Sequence, residues 1–270
     1  MPAQHERPIK ARWRAFLQHP CAAGFRRRVA SLIQFLQRRL SPVGCLGLHL
    51  TVGALIVIAA VWCFGGIVED LLTGDPLTVV DAQVAAWFHR HATPGLTTTA
   101  VAITFLGSPP FLGGASLAFA LFLIWRRWWH RLLALVLTMG GGTVLIILLK
   151  NLFQRSRPVF ENPLITLAGY GFPSGHVMGS TLLCGVVSFI AAVILKAWRW
   201  RVLSVLLAFL FVLLIALTRV YLGVHYLSDV LGAMAAGLAW LAFSLTAVET
   251  FRRCPEHPKT CGTLRCPKPR

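Results

Sequence analysis

The chain has 270 residues, of which 56% are hydrophobic and 13% are charged, and its mean hydropathy is +0.69. These values exclude an ordinary water-soluble domain of this length. The formal net charge of +17 suggests a nucleic-acid partner, but such a partner requires Lys and Arg on a folded polar surface, and here they lie between apolar segments. The composition therefore predicts an integral membrane protein that binds no nucleic acid.

Residues 1–44 form a basic segment that precedes the first long apolar stretch. Within it, residues 25–40 place apolar side chains on one helical stripe with arginines around the rest, a pattern typical of a helix that lies in the membrane interface. A helix that binds a protein partner is the alternative. We predict the interfacial helix, because a membrane span follows within a few residues.

A membrane domain is predicted over residues 45–250, because this stretch contains six segments long and apolar enough to cross a bilayer. About 20 helical residues span the hydrocarbon core. The six segments lie at roughly 46–68, 109–125, 132–152, 175–195, 202–222 and 227–248. We therefore predict an all-α fold, a polytopic helical bundle with six transmembrane helices.

The stretch between the first two spans, residues 69–108, is expected to lie outside the bilayer core. Residues 81–91 (DAQVAAWFHRH) are predicted to form a second interfacial helix, with aromatic side chains at the level of the lipid headgroups. Residues 96–108 are apolar but too short to cross, and a Gly-Ser-Pro-Pro sequence separates them from the next span. We predict a re-entrant or interfacial piece there.

Residues 251–270 form a basic tail on the predicted cytoplasmic side. Cys254, His257, Cys261 and Cys266 are potential metal ligands, but their spacing lacks the paired C-x2-C units of a structural zinc site. We predict no metal site in this tail and interpret it as a solvated basic segment.

The distribution of the cations predicts the topology. All but five of the 26 Lys and Arg residues lie in segments that face one side if the spans alternate from a cytoplasmic N-terminus. Cytoplasmic segments are enriched in Lys and Arg, so we expect both termini to be cytoplasmic, as in a protein of the bacterial inner membrane. The five other cations then face the periplasm or exterior: Arg90, Lys150, Arg155, Arg157 and Arg219.

Three short polar clusters interrupt the apolar pattern, and the predicted topology places all three at that outer face. They are 150–158 (KNLFQRSRP), 171–176 (GFPSGH) and 218–229 (TRVYLGVHYLSD). Ionisable groups at membrane depth cost about 2.5–3.5 kcal/mol each on insertion scales, so such a collection indicates a function. The alternative is that Lys and Arg extend to the interface, but it does not explain two histidines and an aspartate beside them.

The cations of these clusters suit a phosphoryl group. Lys150, Arg157 and Arg219 can hold its non-bridging oxygens and stabilise charge in the transition state. Ser174 and Gly175 begin a predicted helix, whose free N–H groups and dipole add to an anion site. The sequence therefore predicts phosphate binding without a metal or another cofactor.

Two histidines and one carboxylate complete the predicted site. His225 and Asp229 are four residues apart and share one helical face. If Asp229 accepts from one ring nitrogen, the other is left unprotonated, as a nucleophilic histidine requires. His176 then remains as the general acid that protonates the leaving group and later as the base that activates water.

These motifs resemble the three signatures of the phosphatidic acid phosphatase type 2 superfamily: Lys150-x6-Arg157-Pro158, Pro173-Ser-Gly-His176 and Arg219-x5-His225-x3-Asp229. The resemblance covers about residues 95–248. It implies a helical membrane enzyme without a required metal, acting on phosphatidic acid, phosphatidylglycerol phosphate, isoprenoid diphosphates or lipid A. It implies the same roles for the residues named above.

Two positions stand apart from this pattern. The third motif of the family usually opens with Ser, and here Thr218 keeps the hydroxyl. Arg155 is additional to the first motif and is an auxiliary candidate for binding a larger or doubly charged headgroup. Ordinary solvent exposure in a loop is the alternative for Arg155.

We therefore predict a lipid phosphatase that hydrolyses a phosphomonoester or diphosphate, such as phosphatidic acid, phosphatidylglycerol phosphate or undecaprenyl diphosphate, through a phosphohistidine. A phosphotransferase that passes the phosphoryl group to a second lipid would use the same residues. An anion transporter or channel is the alternative from another class, but it predicts polar residues along the spans, and here they collect at one end.

Overall fold

The computed structural model describes residues 47–74 and 76–253, and every regular element in this part of the chain is an α-helix, which confirms the predicted all-α fold. The eight helices of these residues are α1 (Leu48–Thr73), α2 (Pro76–Arg90), α3 (Pro94–Phe105), α4 (Pro109–Trp125), α5 (Trp129–Phe153), α6 (Gly175–Ile194), α7 (Trp198–Tyr221) and α8 (Leu227–Arg253). The predicted interfacial helix at 25–40 and the four potential metal ligands of the tail lie outside the described residues.

Six helical segments of these residues are long and apolar enough to cross a membrane, which confirms the six predicted spans. They contain between 20 and 32 residues. At about 1.5 Å per residue, even the shortest matches a hydrocarbon core of about 30 Å. The side of the membrane on which the termini lie stays a prediction.

The second span is longer than the sequence predicted. The stretch interpreted as a separate re-entrant or interfacial piece is helical in α3, and α3 and α4 together form one candidate span, Pro94–Trp125. Ser108 is extended between the two helices, and Pro109 opens α4 at a position where a missing N–H is tolerated. At Gly107 an added Cβ would lie 2.8 Å from Ile215 of α7, so the break lets the chain approach α7 closely.

Helices α6 and α8 form the centre of the bundle. Half of the apolar window of each is buried, against 11% for α1. Their contact depends on small residues: a Cβ added to Gly185 would lie 2.1 Å from Leu241, and one added to Gly237 would lie 3.2 Å from Thr181. Lipid tails are as apolar as the side chains, so the hydrophobic effect does not drive helices together within a membrane. Close packing at small residues supplies the attraction instead. Both helices begin at the polar clusters, so they form a rigid base for the site.

Helix α2 is too short to cross the membrane and packs against α7 and α8. A helix in this region was predicted from residues 81–91, and in the structure it begins earlier, at Pro76. Asp81, the first residue of the predicted helix, is only 1% exposed. Its side chain faces the first turn of α8, where one of the polar clusters begins.

Candidate active site

The three polar clusters meet at one end of the bundle. The first supplies the end of α5 and the loop that follows it, the second supplies the start of α6, and the third supplies the end of α7 and the turn into α8. Backbone hydrogen bonds join them: Gly171 N–H donates to the Arg155 carbonyl at 2.7 Å, and Ser174 N–H donates to the Asp229 carbonyl at 3.1 Å. The structure therefore brings together residues separated by more than 70 positions.

Two arginines of the first cluster serve different parts of the site. Helix α5 ends at Gln154, which adopts the left-handed conformation (φ 44°, ψ 30°) and turns the chain back towards the bundle. Arg157 then donates to the carbonyls of Gly169 at 2.9 Å and Val224 at 2.8 Å. Arg155, two residues earlier, donates instead to side chains at the start of α8.

His225 has a defined tautomer. Arg157 Nη1 lies 3.1 Å from its Nε2. Because a guanidinium has only donors, Nε2 must be the acceptor, and the ring proton is on Nδ1. Nδ1 lies 3.4 Å from Asp229 Oδ2, slightly longer than a normal hydrogen bond, as catalytic pairs often are before substrate binds. The lone pair is therefore on Nε2, where it accepts from Arg157.

Asp229 is held on both oxygens. It is 0% exposed; its Oδ1 accepts from Arg155 Nη1 at 2.6 Å, and its Oδ2 accepts from the Tyr226 N–H at 2.9 Å. Two such donors stabilise the charged carboxylate, and its Oδ2 is the oxygen that faces His225. Asp229 is therefore fixed as an acceptor for the Nδ1 proton of His225.

Burial also sets the charge state of the nucleophile candidate. It lowers the pKa of His225 below the usual value, and the hydrogen bond and charge of Asp229 oppose this shift only in part. The ring is therefore neutral at neutral pH, as a nucleophile must be. Burial likewise lowers the pKa of Arg157, with Asp229 acting in the opposite direction.

Arg219 has donors that the described residues leave unpaired. Its side chain is 2% exposed, and its Nη1 donates to Thr104 Oγ1 at 3.1 Å. Its Nε and Nη2 have no hydrogen-bond partner within residues 47–74 and 76–253. Leaving a buried charged donor unpaired is costly, so these two groups indicate an anionic ligand. Lys150, whose Nζ donates to the Tyr170 carbonyl, lies within electrostatic range of Arg219.

The start of α6 adds neutral donors to these cations. Ser174 is the N-cap residue, its side chain makes no capping bond, and its buried Oγ has no partner among the described residues. The first N–H groups of a helix have no intrahelical acceptor. A Cβ added to Gly175 would come no closer than 3.9 Å to another atom, the Cγ2 of Ile146. Gly175 therefore leaves open space beside these donors.

His176 lies in the first turn of α6, within electrostatic range of Arg219, His225 and Arg157. Every residue that the sequence analysis assigned to catalysis or phosphate binding is thus in the same region. The roles in catalysis and phosphate binding that the sequence assigned to these residues stay predictions.

Sequence reasoning missed four residues of this region: Asp81, Thr104, Tyr226 and Ser228. Thr104 and Asp81 come from outside the motifs, and nothing in their local sequence indicates a partner more than 100 residues away. Ser228 and Tyr226 lie inside the third cluster, but their contacts use a hydroxyl and a backbone N–H whose direction depends on the start of α8. Arg155, the auxiliary candidate for a headgroup, donates to both Asp81 and Asp229.

Six apolar helices long enough to cross a bilayer, with a buried His–Asp pair and three cations gathered at one end, are the features of an integral membrane protein. Residues 129–253 match the sequence model of the PAP2 superfamily. The chain is 33% identical to phosphatidylglycerophosphatase B of Bacillus subtilis over 152 residues, which are 54% of this chain and 71% of that protein. The chain therefore belongs to the PAP2 superfamily.

Solved structures agree with this assignment. A transmembrane PAP2 type phosphatidylglycerolphosphate phosphatase from Bacillus subtilis aligns with a TM-score of 0.61 and 25% identity, covering 77% of this chain and 98% of that one. LpxE of Aquifex aeolicus aligns with a TM-score of 0.50 and 25% identity, covering 62% and 94%. These relatives confirm the predicted family and indicate a membrane phosphatase.

Proposed function

We propose that the chain is a lipid phosphatase that works through a phosphohistidine on His225. One observation carries the proposal: Nε2 of His225 accepts from Arg157, so its lone pair faces a phosphate-binding cation while its Nδ1 faces Asp229. When Arg157 donates to a phosphoryl oxygen in place of Nε2, a phosphoryl group held by Arg157 and by the unpaired donors of Arg219 would lie against the freed lone pair.

The first step transfers the phosphoryl group to the enzyme. Nε2 of His225 attacks phosphorus, a P–N bond forms, and the P–O bond to the lipid breaks. His176 gives a proton to the leaving oxygen, and Asp229 stabilises the positive charge that develops on the imidazole. The cations stabilise the negative charge spread over the equatorial oxygens.

The second step releases inorganic phosphate. His176, now without its proton, takes one from a water molecule, and the water oxygen attacks phosphorus as the P–N bond breaks. His225 returns to its neutral form with the lone pair on Nε2. The cycle consumes one water and needs neither a redox partner nor a cofactor.

We propose that the reaction does not require a metal ion, since the charged side chains supply the charge stabilisation. In EDTA, the purified full-length chain should still release inorganic phosphate from a lipid phosphate. Activity that requires added Mg²⁺ would contradict this part of the proposal. Acid-labile phosphate retained on the protein after quenching, and lost in His225→Ala, is the expected sign of the phosphohistidine.

The substrate class is a lipid phosphate in the same membrane. The name of the Bacillus subtilis relative supports testing phosphatidylglycerol phosphate first, with phosphatidic acid and undecaprenyl diphosphate in the same panel. Label that appears in a second lipid, with no free phosphate, would identify a phosphotransferase instead. Loss of anion flux alone in His225→Ala would identify a transporter.

We propose further that the site faces the periplasm or exterior of a bacterial inner membrane, with both termini in the cytoplasm. The even number of spans and the concentration of Lys and Arg on the opposite side support this orientation. Intact spheroplasts that express the chain should hydrolyse a short-chain lipid phosphate added outside. Hydrolysis that starts only after permeabilisation would reverse the orientation.

A further inference from the structure

Asp81 is a buried carboxylate outside the three motifs, and three donors converge on it. Its Oδ1 accepts from the Ser228 N–H at 2.8 Å. Its Oδ2 accepts from Arg155 Nη2 at 2.8 Å and from the Ser228 hydroxyl. The side chain is 1% exposed, so its charge depends on these partners. All three donors lie next to Asp229, either in the preceding residue or in the side chain that binds it.

Arg155 connects the two buried carboxylates. Its Nη1 donates to Asp229 Oδ1 and to Ser228 Oγ, both at 2.6 Å, while Nη2 is directed to Asp81. Its guanidinium carbon lies 4.7 Å from the centre of the Tyr226 ring, which limits its movement on a further side. Both terminal nitrogens are thus engaged inside the protein.

Asp81 also anchors the start of α8. The Ser228 N–H belongs to the first turn of this helix, where backbone donors have no intrahelical acceptor. Asp81 supplies the acceptor from α2, and its negative charge is favourable at a helix N-terminus. Because Asp229 is the next residue, a shift of this turn would move its carboxylate relative to His225.

We propose that Asp81, acting through Arg155 and Ser228, is a positioning residue that holds Asp229 against Nδ1 of His225. Asp81 touches none of the reacting atoms. Asp81 binds one terminal nitrogen of Arg155, so Arg155 pairs with two carboxylates. Arg155 can then orient Asp229 while the Oδ2 of Asp229 still faces His225. The inference rests on the proposed role of His225 as the nucleophile and extends the site to a helix outside the motifs.

The competing assignment is the auxiliary role that the sequence analysis considered for Arg155, direct binding of a larger headgroup. The two make different predictions. A headgroup ligand affects KM, and more for a lipid diphosphate than for a monophosphate. A positioning group affects kcat for both substrates equally, because the phosphate-binding cations remain in place.

The test replaces Asp81 by Asn in the full-length chain. Asn keeps the size but has one acceptor oxygen, so at least one of the three donors then faces an amide donor. We expect kcat to fall by about 10- to 100-fold, the effect of a catalytic group displaced by about 1 Å. KM and the inhibition constant of inorganic phosphate should not change. Asp70→Asn, the same replacement at the end of α1, is the matched control and should behave as wild type.

Two further variants keep the test decisive if Asp81→Asn does not fold. Ser228→Ala removes only the hydroxyl between Asp81 and Arg155, and Arg155→Gln removes the link itself. Each should lower kcat without changing the inhibition constant of phosphate. If Asp81→Asn folds, its combination with Arg155→Gln should lose little more than the stronger single variant, because the two act through one network.

Several results would overturn the inference. They are wild-type kcat in the folded variants, a rise in KM confined to diphosphate substrates in Arg155→Gln, and additive losses in the double variant. The outcome for the phosphohistidine separates this inference from the proposed function. If wild-type protein traps no acid-labile phosphate, the proposed function fails; if it does and the variants trap it at the same rate, only the role of Asp81 fails.

Discussion

Replacing Asp229 by Asn should remove most of the activity while leaving the fold in place. In the native site, Asp229 Oδ2 faces Nδ1 of His225 at 3.4 Å, and this contact keeps the ring proton on Nδ1. An amide that keeps its oxygen at the Oδ1 position, where Arg155 donates, places its NH₂ at the Oδ2 position beside His225. The imidazole would then carry its proton on Nε2, and the attacking lone pair would be lost.

The expected magnitude follows from this change of tautomer. The equivalent replacement in a serine protease triad lowers kcat by about 10⁴. Here Arg157 also favours the lone pair on Nε2, so we expect a loss of about 10³ to 10⁴. The upper value corresponds to about 5 kcal/mol of transition-state stabilisation. The fold should persist, because Arg155 keeps its ion pair with Asp81.

The assay is phosphate release from a lipid phosphate in detergent, combined with acid quenching to measure phosphoenzyme. Both rates should fall together in Asp229→Asn, while thermal unfolding and inhibition by inorganic phosphate remain close to those of wild type. Asp70→Asn serves again as the control. An Asn variant that keeps more than about a tenth of the wild-type rate would refute the reasoning, because the loss of tautomer control could not then be so large.

Three other outcomes are expected. Since burial lowers the pKa of His225, the ring stays neutral as the pH falls below the usual value of about 6.5, and the acidic limb of kcat/KM assigned to His225 should lie below that value. Gly175→Ala should leave the unfolding temperature unchanged, because the new Cβ approaches only Ile146 at 3.9 Å, but should weaken inhibition by phosphate by occupying space at the helix N-terminus. Arg219→Lys should lower kcat/KM by about 100-fold, since one ammonium cannot replace the unpaired Nε and Nη2 donors; an unaltered value would contradict a role in the transition state.

The number of membrane spans was predictable because the signal is redundant. Each span contributes some 20 apolar residues, and errors at single positions do not change the count of six. The second span shows where this reasoning stops. The sequence separated residues 96–108 from the span that follows, because Gly107 and Pro109 are typical of a turn. In the structure the same residues produce a short break within one long segment, packed on Ile215 of α7.

The sequence predicted which motif residues lie close together, because their spacing and the predicted topology both place them at one end of the bundle. The spacing of four residues predicted that His225 and Asp229 lie side by side, and the predicted topology placed Lys150 and Arg219 at the same end of the bundle. Asp81 was not predictable in this way. Its position in the chain makes it one of several acids near the membrane surface, and its burial depends on how α2 packs against α8, which no local pattern encodes.

The contacts of Arg155 could not be predicted from the local sequence either. Arg155 is one of the five cations that the predicted topology places on the outer face, and it lies beside the first motif, so the sequence made it a candidate for binding a headgroup. After the left-handed turn at Gln154, the two side chains reach different partners: Arg155 donates to Asp81, and Arg157 donates to His225. The sequence shows that the region is positively charged. The path of the backbone determines which acceptor each arginine contacts.

The contact between α2 and α8 also bears on evolution and on protein engineering. The family match begins at residue 129, whereas Asp81 lies almost 50 residues earlier. If Asp81 positions Asp229, the catalytic site depends on a residue outside the family match. A chimera that joins residues 129–253 of this chain to the N-terminal half of another relative would then lack the matching partner for Arg155 and Ser228. Positions 81, 155 and 228 should accordingly co-vary among relatives, and a transplanted core should recover its activity when its own α2 is transferred with it.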